Sequence, residues 1–141
     1  PTFSALAMQG IDGELIQRVE IVKGWYDGVA THESVFLLSG DPNNGASVDP
    51  ATCAVSGPGA ASLCGTWTDP TFDPSQPAFY YARVMENPTC RWHRVLCNQV
   101  APDCATVTSA DPYWACCDPT MPDDTQERAW SSPIWYYPPT L

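Results

Sequence analysis

Positive charge is scarce in this chain. Only 6 of its 141 residues are Lys or Arg, against 16 Asp or Glu, for a net charge of −10. A surface of that sign repels phosphate backbones and anionic headgroups, so nucleic acid and membrane surfaces are disfavoured as partners. Long apolar runs are also missing. No stretch approaches the roughly 18 residues that a spanning helix needs, so no membrane insertion is expected. Residues 1–10 have neither a basic start nor a long apolar stretch, which excludes a signal peptide there. Histidine is limited to His32 and His93. A hydrolytic zinc or iron site takes three or more His, Asp or Glu ligands, and two unrelated His do not make one. Neither Ser62 nor Ser131-Ser132 lies in a Gly-x-Ser-x-Gly frame, so there is no nucleophile elbow. The Gly-rich stretch 57–65 has no Lys and no following helix pattern, so it is not a phosphate loop.

Cysteine, by contrast, is plentiful. Cys53, Cys64, Cys90, Cys97, Cys104, Cys116 and Cys117 make seven. The spacings contain no Cys-x-x-Cys, which favours disulfides over a zinc cluster and points to an extracellular or periplasmic location. Seven is odd, so at least one thiol is free or pairs outside the chain. Cys53 and Cys64 close a short loop and are the expected pair. A bridge of that span stabilises by about 2–3 kcal/mol. Cys116 and Cys117 are adjacent. A vicinal bridge is strained, so each is expected to reach a different partner. The partners of Cys90, Cys97 and Cys104 stay open.

Period-2 patterning dominates the chain. Residues 2–8 read as a short strand and 14–25 as the best strand, with Leu15, Val19 and Ile21 on one face and Arg18 and Glu20 on the other. Asp27-Gly28 is a turn signal, and 31–38 returns as a second strand, giving a hairpin. Residues 39–75 are rich in Gly, Pro, Asp, Asn and Ser, show no period, and read as a long stapled loop. An aromatic strand is expected over 79–85, broken by Asn87-Pro88. Residues 89–100 allow a short helix with Trp92, Val95 and Leu96 on its packed side. Residues 101–124 form a second loop held by cysteines. A closing strand over 127–137 is interrupted by Pro133, which suggests an edge or a bulge. The fold class expected is mainly β, a small β-sandwich-like or open antiparallel sheet module. Long disulfide-tied loops and at most one or two short helices complete it. The expected unit is a single module: strand-rich 1–39, stapled loop 40–76, aromatic strand and cysteine cluster 77–124, closing strand 125–141.

Few constellations suggest chemistry. Asp41, Asn43 and Asp49 surround a Gly turn as a weak calcium candidate, without the bidentate Glu that closes an EF-hand loop. A solvated turn in which Asp and Asn cap their own backbone is the favoured reading. His32 and His93 each read as a surface or hydrogen-bonded side chain. Glu86, Glu127 and the Asp residues are candidates for a carboxylate pair, although sequence alone brings no two of them together, and solvation or an ion pair with Arg83 or Arg128 is the plainer reading. Arg83 and Arg128, on aromatic strands, read first as partners of a carboxylate or of a Trp or Tyr ring, and second as contacts for an anion or an interface. Trp114, Trp130, Trp135, Tyr136 and Tyr137, with Tyr80 and Tyr81, form an aromatic strip. It suits a core, an interface or a sugar platform.

The aromatic string Phe79-Tyr80-Tyr81-Ala82-Arg83-Val84 within 77–92, and Trp130-Ser131-Ser132-Pro133-Ile134-Trp135-Tyr136 within 126–136, flank the cysteine cluster. Together with Val22-Lys23-Gly24-Trp25 and Asn44-Gly45-Ala46-Ser47-Val48-Asp49, in this order, they resemble the C-terminal region of domain-of-unknown-function family 3604. The resemblance runs from about residue 16 to residue 137. That family is similar to the polymerase-and-histidinol-phosphatase (PHP) metallohydrolases. The resemblance therefore implies a larger, often exported protein with a divalent-metal site in a distorted α/β barrel, where clustered His and Asp activate water for hydrolysis. The His-x-His and Asp-x-His motifs of such a site are absent here, so no metal ligand carries over. The chain is accordingly expected to be an accessory C-terminal portion with no cofactor of its own, beginning inside the family's pattern at Pro1 as a processed fragment, the product of a truncated gene, or an incomplete chain. Its expected partners are the upstream part of the same precursor or identical copies. The other expectation is a stand-alone extracellular β module that binds or self-assembles.

Overall fold

The computed structural model describes residues 1–139. Its strands are β1 (Thr2–Met8), β2 (Ile16–Tyr26), β3 (Thr31–Gly40), β4 (Ser47–Val48), β5 (Val55–Ser56), β6 (Ser62–Thr68), β7 (Ala78–Glu86) and β8 (Thr89–Cys90). After helix α1 (Trp92–Val100) and a 3-10 turn at Trp114–Cys116 come β9 (Asp124–Thr125), β10 (Arg128–Trp130) and β11 (Ile134–Tyr136). Over the described residues the protein is thus mainly β, with antiparallel sheets, one α-helix and three disulfides.

β2 is the centre of the larger sheet. It pairs with β3 on one side, through the expected Asp27-Gly28 hairpin, and with β7 on the other. β7 carries β10 along one half and β11 along the other, so the sheet runs β10/β11–β7–β2–β3. Pro133 has no N–H to donate, and the closing strand splits around it at the sheet edge, as its position predicts. Ser131 mends the gap. Its N–H donates to the Ala82 carbonyl at 3.0 Å, and its hydroxyl accepts the Ala82 N–H at 3.0 Å.

The second layer is the pair β1–β6, from Thr2↔Thr68 to Met8↔Ser62. β6 lies over β3 and β2, and β1 over β2. Between the layers sit two apolar clusters. Ala7, Ile16 and Val19 pack with Ala5, Leu38, Leu63 and Val84. Ile21, Ala78 and Tyr80 pack with Phe3, Trp25, Trp67 and Ala82. β6 falls in the region expected to be irregular. It does alternate, with Leu63, Gly65 and Trp67 turned inward, but glycine at the middle inward position hides the period. That glycine is required by packing, because a Cβ on Gly65 would stand 2.9 Å from Leu38.

Two further expectations are corrected. Cys53 does not pair with Cys64. It bonds Cys90, while Cys97 bonds Cys116 and Cys104 bonds Cys117. Cys64 is the free cysteine, exposed on the outer face of β6. Loop length favoured the 53–64 closure, but pairing of β6 with β1 holds Cys64 opposite Leu6, on the far side of the second layer. The adjacent Cys116 and Cys117 do reach different partners, as strain predicts. On α1, the buried residues are His93 and Cys97, and Trp92 is 80% exposed. The Cys97–Cys116 bridge, not the apolar side chains, selects which helix face turns inward.

Candidate functional site

The inner end of β2 holds a buried ionic cluster. Lys23 Nζ lies 2.6 Å from Asp69 Oδ2, with side chains 4% and 0% exposed. Tyr80 donates its hydroxyl to the same oxygen at 2.8 Å. Thr71 donates its N–H and its hydroxyl to Oδ1. Lys23 also donates to the Thr71 carbonyl and sits 5.0 Å from the centre of the Trp25 ring. Burial pushes the Asp69 carboxyl up, but the ammonium, the amide and the two hydroxyls outweigh it and hold it below its ordinary value. Burial and the Asp69 charge push the Tyr80 phenol up. Every acceptor is met, which makes this a device for fixing structure rather than a reactive group. Sequence reading missed it because Asp69 lies far from Lys23 along the chain.

The opposite face of the sheet has a different character. Glu20 faces Leu37 and Arg83 across the ladder, Val22 faces Val35 and Tyr81, and Gly24 faces Glu33 and Phe79. Trp130 opposes Arg83, and Trp135 opposes Phe79. Directly opposed residues share a face, so all of these lie on the side away from β1–β6. Glu20 is clamped between Arg18 and Arg83 at 2.7 Å each. Burial raises its carboxyl, and the two guanidiniums more than reverse this. Arg83 thus pairs with a carboxylate, and Arg128 forms no ion pair among the described residues. Trp130 and Trp135 are 59% and 58% exposed at one edge of this face, and Val35 and Leu37 are exposed on β3 at its other edge. Rings line up across the face: Tyr81 stacks with Phe79 at 6.3 Å, Phe79 tilts onto Trp135 at 5.2 Å, and Trp135 stacks with Tyr137 at 6.4 Å. Gly24 permits this, since a Cβ there would stand 2.3 Å from the Phe79 ring.

The expected aromatic strip is thus divided. Tyr81, Trp130, Trp135 and Tyr137 go to the exposed face. Tyr80 is buried in the core, Tyr136 packs edge-on to Phe72, and Trp114 belongs to the disulfide-tied lobe. A cavity of about 430 Å³ opens on this side between Tyr26, His32, Glu33, Phe79 and Trp135.

The other candidates do not converge. Asp41 accepts the N–H of Asn43, and Asp49 accepts the N–H of Ala51 and the hydroxyl of Thr52. Both carboxylates cap their own turns, the behaviour favoured for them from sequence. His32 donates to or accepts from Asp27 at 2.7 Å on the surface, and two backbone amides with this contact hold the Asp27 carboxyl at about 2. His93 corrects the expectation of a surface or hydrogen-bonded residue: it is buried, and its Nε2 has no partner among the described residues. Glu86 and Glu127 do come together, lining one cavity at the end of β7, where Glu86 accepts the Glu14 N–H. Among the described residues no three His, Cys, Asp or Glu side chains gather in a way that would hold a metal ion, and six of the cysteines are committed to disulfides. The residues present do not fit a divalent-metal centre. Among the described residues no helix is long and apolar enough to cross a membrane.

Fold and surface together define a disulfide-tied, antiparallel β module whose distinguishing feature is an aromatic sheet face. Over residues 1–138 the chain matches the family described as "Protein of unknown function (DUF3604)", and it belongs to that family. No curated protein and no solved structure matches it.

Proposed function

We propose that this chain is an accessory, non-catalytic C-terminal portion of an exported, PHP-like, metal-dependent hydrolase, and that its aromatic face seats the catalytic portion. The observation that carries this reading is the outer face of the β10/β11–β7–β2–β3 sheet. It exposes Val35, Leu37, Trp130 and Trp135, apolar groups of the kind found in interfaces. Three disulfides fit an extracellular or periplasmic setting. The divalent metal belongs to the catalytic portion. The test is to express this chain and the upstream part of the precursor as separate polypeptides. Co-elution is expected, with Trp130→Ser/Trp135→Ser abolishing it and metal staying with the upstream part. Failure of the wild-type pieces to associate, or metal bound by this chain alone, would refute the proposal.

A second reading, a stand-alone extracellular module that self-assembles, is favoured by one observation. The exposed Cys64 thiol lies beside the exposed Leu6 on the outer layer. Sedimentation with and without reductant separates the two. Reductant-sensitive dimers support self-assembly, and a monomer at every concentration rules it out.

A further inference from the structure

We propose that the free edge of β1 receives an added strand, an extended peptide with apolar residues at alternate positions and a Lys or Arg at one end. This surface is distinct from the aromatic face and does not depend on the role proposed for that face. The hydrogen-bond phase of β1 is fixed at both ends. Gln9 donates its N–H to the Ala61 carbonyl at 2.9 Å, and Asp69 donates to the Pro1 carbonyl at 3.1 Å. Antiparallel ladders alternate, so the odd-numbered residues 3, 5 and 7 exchange hydrogen bonds with β6. The amides and carbonyls of Thr2, Ser4, Leu6 and Met8 then point the other way, where no strand pairs with β1 among the described residues.

That side is roofless but has a floor. Because β1 lies over β2, the strands β7, β10 and β11 project beyond it as a shelf. Two cavities, of about 350 and 440 Å³, lie end to end between β1 and this shelf and share Leu6, Ala82 and Ser131. Their shelf side is made of small or apolar side chains, Ala82, Val84, Ala129 and Ile134. An incoming strand would hydrogen-bond to the even residues of β1 and set every second side chain onto this floor. Seven paired residues, the length of β1, span about 23 Å.

Charge sets the polarity. At the Met8 end Glu86 and Glu127 line the cavity, and neither forms an ion pair among the described residues, although Arg128 lines the same end. A basic residue of the peptide belongs there. A second copy of the chain does not fit. Pairing β1 with its own copy about a two-fold axis would bring the two shelves into the same space beneath the joined strands. The occupant is therefore a lone extended segment and not an edge of an identical sheet.

The experiment uses the whole chain with its disulfides intact and a fluorescein-labelled peptide, Lys-Thr-Val-Thr-Leu-Thr-Val, whose Lys and apolar residues share one face, read by anisotropy and by amide exchange. Binding is expected, with slowed exchange of the Ser4, Leu6 and Met8 amides and not of those on the aromatic face. Ser4→Pro removes a free-edge N–H while leaving the β6 ladder whole, and Ala129→Trp fills the floor. Each should weaken binding at least about tenfold, the scale of one or two lost contacts. Glu127→Gln should weaken binding less than this and flatten its salt dependence. Circular dichroism confirms that each variant is folded. The proposal is overturned if the peptide does not bind, or if a rearranged peptide with its apolar residues adjacent binds equally. It is also overturned if protection appears elsewhere, or if the chain dimerises through β1 instead.

Discussion

Replacing Lys23 by Met tests whether the buried ionic cluster holds the two layers together. Methionine keeps most of the stem that packs beside Trp25 but removes the ammonium 2.6 Å from Asp69. The carboxylate then keeps the Tyr80 hydroxyl and the Thr71 donors, but it has lost its counter-charge where its own side chain is 0% exposed. Removing one partner of a buried pair costs about 3–5 kcal/mol. At about 2–4 °C per kcal/mol for a chain of this size, the melting temperature should fall by about 6–20 °C. The pH dependence has a definite sign. In the native protein the Asp69 carboxyl is held below its unfolded value, so the stability it contributes is full above about pH 4 and is lost as pH falls through the lowered value. Without Lys23, burial drives the same carboxyl upward. The variant's deficit should therefore shrink on acidification, since the neutral acid is the form that the dry site tolerates. Thermal unfolding by circular dichroism, without reductant, at neutral pH and near pH 4 reads both effects. Lys23→Met/Asp69→Asn should recover much of the loss, because the neutral amide leaves no orphaned charge and its oxygen still accepts from the Tyr80 hydroxyl. A deficit under about 1 kcal/mol at neutral pH, or one that acid leaves unchanged, refutes the reasoning.

Thiol titration under denaturing conditions should find one reactive cysteine in the native chain and none in Cys64→Ser, with melting shifted by no more than about 0.5 kcal/mol. Cys90→Ala should instead free Cys53, raise the count to two, and lower stability by about 3–4 kcal/mol, the closure entropy of a loop spanning 37 residues. His93→Leu should leave stability equal or higher in urea titration, because the buried Nε2 it removes has no partner among the described residues. Gly24→Ala should cost about 1–3 kcal/mol by the same titration, because its Cβ meets the Phe79 ring, and adding Phe79→Leu should restore part of that loss.

What could be read along the chain depended on how far apart the cooperating residues lie. β1, the β2–β3 hairpin and β7 were legible because alternation and the Asp27-Gly28 turn are local signals. β6 was not, because Gly65 occupies an inward position for the sake of Leu38, a neighbour on another strand. The aromatic string 79–84 marked a strand correctly, yet only the ladder could send Tyr80 to the core and Phe79 and Tyr81 to the surface. Cysteine spacing favoured a 53–64 closure through contour length alone, whereas the actual partners follow strand pairing. The Lys23–Asp69 cluster left no trace in sequence, since nothing near Lys23 calls for a carboxylate 46 positions later.

The short pair β8–β9 acts as a neck. Thr89 pairs with Thr125 and Cys90 with Asp124, so the polypeptide comes back to the point where it departed from the sheet. Everything between, including α1 and two of the three bridges, is a detour whose length β7 and β10 do not register. Such a detour can be lengthened, shortened or recut by evolution without disturbing the strands it interrupts. Its attachments are few: the Cys53–Cys90 bridge at the neck, and Arg94 and Asn98 donating to the Pro50 carbonyl. The molecule thus separates a fixed-geometry problem, the sheet, from a freely variable one, the lobe, and the disulfides stand almost wholly on the variable side.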